Sequence, residues 1–205
     1  MPFGYTGSFP NQQIQNSGIF SPEDVLNLNA VGEYGGSLEH IQTISATSGG
    51  TTNFDFTNLG QFKVHMLLVE NAICTTNSTN YIEMRFSTDG GSSFISTSSY
   101  DRAWTRVDRS GNTLDVKNND QTSMSNLFST DNDYTSSQSR VYFYDLVDSS
   151  KNSNVTFHSV NSVGYYVYFG GFVYKVKNAV NALRVFASAD ALYPATMQLY
   201  GLKDI

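Results

Sequence analysis

Tyr81-Ile82-Glu83-Met84-Arg85-Phe86-Ser87-Thr88-Asp89-Gly90-Gly91-Ser92-Ser93-Phe94 is the stretch on which the fold turns. Its opening half alternates: Ile82, Met84 and Phe86 fall on one side of an extended chain, and Tyr81, Glu83 and Arg85 on the other. That is the period of a half-buried β-strand. From Ser87 the character changes. A short acid can accept hydrogen bonds from nearby backbone amides, two glycines take positive φ at no steric cost, and an aromatic can pack beneath the turn. A strand followed by a tight reversal, with no helical period, is the unit from which the rest of the chain can be read.

Working outward, the same period recurs at 38–46, 51–57, 61–74, 79–87, 93–98, 140–147, 154–160, 164–177, 181–188 and 195–202, with turn chemistry between the runs. The run from Tyr165 to Val176 is aromatic on both faces and carries Gly170-Gly171, which predicts a bulge or tight bend in one long strand. Between about 99 and 139 the sequence turns polar and reads as loops, with one short strand near 104–107. No repeat of propeller or solenoid length is visible. These features predict an all-β domain, an antiparallel β-sandwich of jelly-roll type, over residues 37–205, with little helix. The period-two phase predicts a core of Phe54, Phe56, Met66, Leu68, Ile82, Met84, Phe86, Val141, Phe143, Val167, Phe169, Leu183, Val185, Leu199 and Leu202.

Residues 1–36 read differently. The first twenty or so are rich in Gly, Pro, Asn and Gln, with spaced apolar anchors at Phe3, Tyr5, Phe9, Ile14, Ile19 and Phe20. Too little apolar surface is present for such a segment to order itself, so it is expected to become ordered against other subunits, as an assembly arm. Ser21-Pro22-Glu23-Asp24 then supplies a cap, a proline at the first helical position and acids in the first turn, predicting one short helix that ends before Gly32.

Composition narrows the function. The chain of 205 residues carries 15% charged residues and a formal net charge of −6, so the basic footprint that counters a phosphate backbone is absent and nucleic acid is not an expected partner. Solubility has to come from hydroxyls and amides, while 13 Tyr and 14 Phe favour pleated surfaces. No window approaches a membrane span, so membrane insertion is not expected. The opening Met1-Pro2-Phe3-Gly4-Tyr5 lacks the positive region and apolar core of a signal peptide, which gives an expectation of synthesis in a cytoplasm and arrival elsewhere by assembly or lysis. Cys74, the single cysteine, sits at a strand end with no basic neighbour and reads as a small buried hydrophobe.

A search for chemistry yields no catalytic set, no cofactor motif and no metal-ligand spacing. His40, His65 and His158 each stand alone in strand-like runs, where an alternating strand that points a histidine outward accounts for them. Asp101, Asp108, Asp115, Asp120, Asp131 and Asp133 gather in the polar middle segment, and turn-forming hydrogen bonds to their own backbone account for all six. A carboxylate pair for glycoside hydrolysis is the competing use of these acids. Asp131-Asn132-Asp133 resembles the start of a calcium loop, but Ser136 stands where the sharp-turn glycine belongs and no Glu follows at the twelfth position. The octet at Ser87, Asp89, Gly91 and Phe94 resembles the Asp-box, Ser-x-Asp-x-Gly-x-x-aromatic, of sialidases and many other β proteins. One box in a chain of this length cannot build a sialidase propeller, so the match speaks for a hairpin turn alone.

Three separated segments together resemble the small β-rich virion proteins of tailed bacteriophages, particularly those of marine bacteria. Asn16-Ser17-Gly18-Ile19-Phe20, followed by Asp24-Val25 and Gly35-Gly36, is similar to their N-terminal anchor. Arg85 to Phe94 followed by Tyr100-Asp101 resembles their "RFSTDGGSSF … Y" hairpin. Ala182-Leu183-Arg184-Val185-Phe186 and Met197-Gln198-Leu199-Tyr200-Gly201-Leu202-Lys203 resemble their closing strand pair. Ala187-Ser188-Ala189-Asp190 and Ala195-Thr196 depart from the usual turn residues there and leave the strand pattern intact. The resemblance implies a non-enzymatic structural component of a virion, tail-fibre or baseplate-associated, docked by its arm to other virion proteins, with a host surface glycan as a further candidate partner. It also implies a closed homo-oligomer, a trimer by analogy with phage fibres. A capsid decoration protein or a free carbohydrate-binding module are the alternatives.

Overall fold

A computed structural model describes residues 38–76, 80–130, 137–161 and 165–202. The chain divides into two units, Met1–Ser37 and Leu38–Ile205, and the described residues all belong to the second. The predicted arm and short helix lie outside the described residues, as do Asp131 and Asp133. Every named element of the second unit is a strand: β1 (Leu38–Ser45), β2 (Asn53–Phe56), β3 (Val64–Ala72), β4 (Asn80–Ser87), β5 (Tyr100–Val107), β6 (Thr113–Gln121), β7 (Ser129–Thr130), β8 (Ser137–Tyr144), β9 (Ser153–Asn161), β10 (Tyr166–Tyr174), β11 (Ala182–Ala187) and β12 (Thr196–Leu202).

These form an eight-stranded sheet in the order β1-β12-β3-β8-β9-β10-β5-β6 and a four-stranded sheet in the order β2-β11-β4-β7. All pairings are antiparallel. From β1 to β5 the chain changes sheet at each step, so the turns sit at the ends of a sandwich whose two inner faces share one core. That is the expected β-sandwich. Alternation decides which side chains enter it. Strand β4 turns Ile82, Met84 and Phe86 inward, β11 turns Leu183 and Val185, and β2 turns Phe54 and Phe56. They meet Leu67, Val141, Phe143, Phe157, Phe172 and Leu199 from the large sheet. At the centre the Phe86 ring lies edge-on to Tyr174 at 5.6 Å and near Phe143 at 6.1 Å. The buried Tyr100 hydroxyl accepts a 3.0 Å hydrogen bond from the Phe86 amide, tying one sheet to the other. Cys74 is buried.

The middle of the chain differs from expectation. Residues 100–121 form the hairpin β5–β6 rather than a loop with one short strand, and 93–98 forms no strand. Strand β6 is an edge strand whose residues are exposed or half-buried throughout, so its sequence, Thr-Leu-Asp-Val-Lys-Asn-Asn-Asp-Gln, never had to show an apolar face. Backbone pairing with β5 holds it.

Two strands sit in the opposite phase from the one predicted. In β3 the inward set is His65, Leu67 and Val69, with Met66 and Leu68 half-buried on the other side. In β10 it is Tyr168, Phe172 and Tyr174, with Val167 half-buried and Phe169 exposed. Leu202 is half-buried as well. Both alternating sets in β3 and β10 are largely apolar, so hydrophobicity alone could not choose between them. The choice of phase also buries His65, which therefore does not point outward. Nor does Gly170-Gly171 make a bulge. The register of β10 with β5 and β9 runs unbroken through both glycines, and close packing explains them instead. A Cβ on Gly170 would stand 2.4 Å from the Ala103 carbonyl oxygen and 2.4 Å from the Trp104 Cβ, and one on Gly171 would stand 2.7 Å from the Val155 oxygen.

Candidate functional site

The small sheet covers one face of the large one, and the described residues leave the other face exposed or half-buried. Register assigns its surface row by row across β9, β10, β5 and β6. One row is Asn154, Val173 and Asp101. The next is Thr156, Gly171, Ala103 and Lys117, the third is His158, Phe169, Thr105 and Asp115, and the fourth is Val160, Val167, Val107 and Thr113. Directly opposed residues in an antiparallel sheet are near neighbours, so each row is a continuous line of surface.

The second row is low because Gly171 and Ala103 contribute almost no side chain. It forms the floor of a shallow trough crossing the strands, with Phe169 (47% exposed) on one bank and Val173 and Asp101 on the other. The part lined by Asp101, Ala103, Lys117, Asn154, Thr156 and Gly171 has a volume of about 460 Å³. The adjoining part beside Phe169 and Asp115 has about 450 Å³, and the two share Ala103 and Lys117. A third depression of about 290 Å³ lies further along the face between Glu70, Gln138, Arg140, His158 and Val160. Sequence reasoning missed this face because Phe169 was placed in the core. The available signal was the aromatic residues on both faces of the 165–176 run, more than one core needs.

The polar groups on the banks are fixed by local bonds. Thr105 Oγ1 donates to Asp115 Oδ1 at 2.6 Å across the β5–β6 pair. Asp101 accepts the Asp120 amide at 2.9 Å and meets Lys175 Nζ at 3.0 Å, and Lys175 also meets Asp120. The Asp120 amide and then the lysine hold the Asp101 carboxyl below its ordinary range. Asp108 caps the β5–β6 turn by accepting from the Ser110 and Asn112 amides at 2.8 and 3.0 Å, and the Asn112 side chain, followed by these amides, lowers its pKa too. Each of the four described acids of the middle segment thus has a turn, cross-strand or lysine partner. Among the described residues no group of three or more His, Cys, Asp or Glu could hold a metal ion.

The Asp-box-like residues lie on the far side of the molecule, at the end of β4. Asp89 accepts from the Ser93 amide at 2.9 Å, the Ser93 hydroxyl at 2.6 Å and the Ser87 hydroxyl at 2.7 Å. The Ser93 bonds lead in pulling its pKa down to about 2. Gly90 and Gly91 take φ of 76° and 90°, and Gly91 donates its amide to Ser87 Oγ at 2.9 Å. Phe94 lies half-buried beneath the Arg184 guanidinium, 4.0 Å from the ring centroid, and Arg184 forks onto Asp55 at 2.6 and 2.7 Å. The turn does not close a hairpin between paired strands. After Ile95 bonds back to the Phe86 carbonyl, the chain crosses to β5 in the other sheet. Its polar atoms are spent on one another and on Asn181, so it anchors a crossover. The histidines divide: His40 and His158 are exposed, whereas His65 Nε2 reaches the Leu59 carbonyl at 2.7 Å inside the core and its Nδ1 has no partner among the described residues.

In comparisons with known proteins no family model matches the sequence, and no curated protein matches it. The functional reading therefore rests on the site and on the segments quoted above.

Proposed function

We propose that the chain is a non-enzymatic structural component of a tailed-phage virion, tail-fibre or baseplate-associated, whose β-sandwich presents the open face of its large sheet to a partner. The observation that carries the reading is that face itself: rows of apolar and small polar side chains crossing the strands, on a domain whose four described candidate acids, Asp101, Asp108, Asp115 and Asp120, have local structural partners. A surface of this kind suits wet, shape-dependent contacts with protein or glycan. The partners proposed are other virion proteins, with the sequence anchors Phe3, Tyr5, Phe9, Ile14, Ile19 and Phe20 reserved for assembly, and further copies of the chain in a closed ring, a trimer in the first instance. Purified particles probed with an antibody against residues 38–205 test the proposal. A band in stoichiometric ratio to the major structural proteins is expected, and recovery of the chain solely in the particle-free supernatant would overturn it.

A further inference from the structure

We infer that the trough across β9, β10, β5 and β6 is a binding site for a neutral oligosaccharide. Its dimensions come from the sheet. Four strands span roughly 14 Å at ~4.8 Å per strand, which fits a short run of sugar rings laid across them rather than a single small molecule. The two adjoining parts, about 460 and 450 Å³, each fall in the range of ligand sites, ~300–1,000 Å³.

The lining discriminates among ligands. Phe169 offers an exposed ring on the bank, and the axial C–H face of a pyranose is the apolar surface that packs on such a ring without leaving a polar group unpaired. The floor of Gly171 and Ala103 lets a flat ring approach the backbone, and a side chain at position 171 would collide with the Val155 carbonyl oxygen, 2.7 Å from the Cβ position. Around this strip stand Asn154, Thr156, Thr105, Asp115 and Lys117, a mixture of donors and acceptors matched to vicinal hydroxyls, each of which both donates and accepts. The charges favour a neutral chain over an acidic one, because Lys175 is already paired with Asp101 and Asp120 and Asp115 stands beside Lys117 in the lining, which leaves no surplus positive charge for a uronate or sialate. A second copy of this sheet face fits less well. Two such depressions brought face to face would leave a water-filled channel between them.

This inference rests on the reading of the chain as a non-enzymatic binding component. The test uses the full chain and a panel of soluble neutral hexasaccharides at millimolar concentration: β-1,4-, β-1,3- and α-1,4-glucans, a β-1,4-mannan, a β-1,4-xylan and chitohexaose. Titration calorimetry is read alongside sedimentation velocity. At least one member is expected to bind saturably and without turnover. Phe169→Ala should weaken that binding about tenfold, equivalent to ~1.4 kcal/mol, and Ala103→Gln, which fills the floor, should weaken it further. Tyr81→Ala, on the small sheet, should leave it unchanged. Unaltered far-ultraviolet circular dichroism certifies that the variants are folded. Three outcomes overturn the inference: no saturable binding by any member, binding that survives both trough variants, or self-association that Phe169→Ala abolishes. Failure here is separable from failure of the virion reading. A chain found in particles that binds no panel member refutes the trough alone, and a glycan-binding chain absent from particles refutes the virion role alone.

Discussion

Replacing Gly170 by Ala should be among the most costly single-methyl changes in the large sheet. The added Cβ would meet the Ala103 carbonyl oxygen at 2.4 Å, the Trp104 Cβ at 2.4 Å and the Trp104 Cα at 2.5 Å. Ordinary carbon contacts lie at ~3.5–4.0 Å, so the strands β10 and β5 would have to separate by about 1 Å or more at their midpoint. Two of the three opposing atoms are backbone, and the third is the root of a buried indole, so no rotamer change relieves the overlap. Overpacking of this kind costs about 1–3 kcal/mol and sometimes more. Alanine recovers ~0.4–1 kcal/mol by restricting the unfolded chain. A net loss of about 1–2 kcal/mol shifts the melting temperature of a domain of this size by roughly 2–8 °C. Trp104 is the only tryptophan in the chain and stands against the altered site, so its fluorescence during thermal unfolding reports on the same strands. Gly49, where a Cβ meets nothing within 4 Å, supplies the control substitution. If Gly170→Ala and Gly49→Ala melt within a degree of each other, the account of the glycine pair as a close-packing device is wrong.

Two further outcomes are expected. Phe172→Ala should cost about 3–5 kcal/mol, since Phe172 is buried and stacked on Phe157 with centroids 5.4 Å apart, whereas Phe169→Ala should change the denaturation midpoint little; equal losses would mean that β10 presents its other face to the core. Burial depresses the His65 pKa against the opposing hydrogen bond to Leu59, so the folded state resists the proton that the unfolded chain accepts. Stability should be full above the unfolded histidine value of about 6.5 and fall as the pH drops below it, a decline that His65→Gln flattens; parallel denaturant curves for both proteins at pH 7.5 and 5 would refute this.

How much of this was legible depended on whether a strand had one polar face. In β2 and β4 a polar set opposes an apolar one, and the phase read from sequence agrees with the burial found. In β3 the sets Val64-Met66-Leu68 and His65-Leu67-Val69 are nearly matched, and the one containing histidine is inside. In β10 the sheet's geometry rather than hydrophobicity decides, because Gly170 must lie under Trp104. Strand β6 was invisible for the opposite reason: it buries almost nothing, and its bonds are made by backbone, which any sequence carries. The trough inherits both difficulties. Its bank is Phe169, on the ambiguous strand, and its far rim is β6. The turn at Ser87–Phe94 was legible because side-chain bonds to local backbone follow from residue spacing alone, while its use as a crossover depends on sheet order.

Sheet order has a consequence for how the chain can be made. Strand β11 lies between β2 and β4, and β12 lies between β1 and β3, so the last two described strands in chain order complete the middle of one sheet and join the outermost strand of the other to β3. Until residues 182–202 emerge, β1 has no partner among the described strands, β2 has none, and β3 and β4 each carry an open edge. Such edges are templates for pairing with other chains. A nascent polypeptide released before residue 182 would therefore lack the closing strands of both sheets at once rather than a peripheral flap. Neither layer of the sandwich can close until residues 182–202 have been made, which ties yield of the folded domain to protection of those edges while they wait.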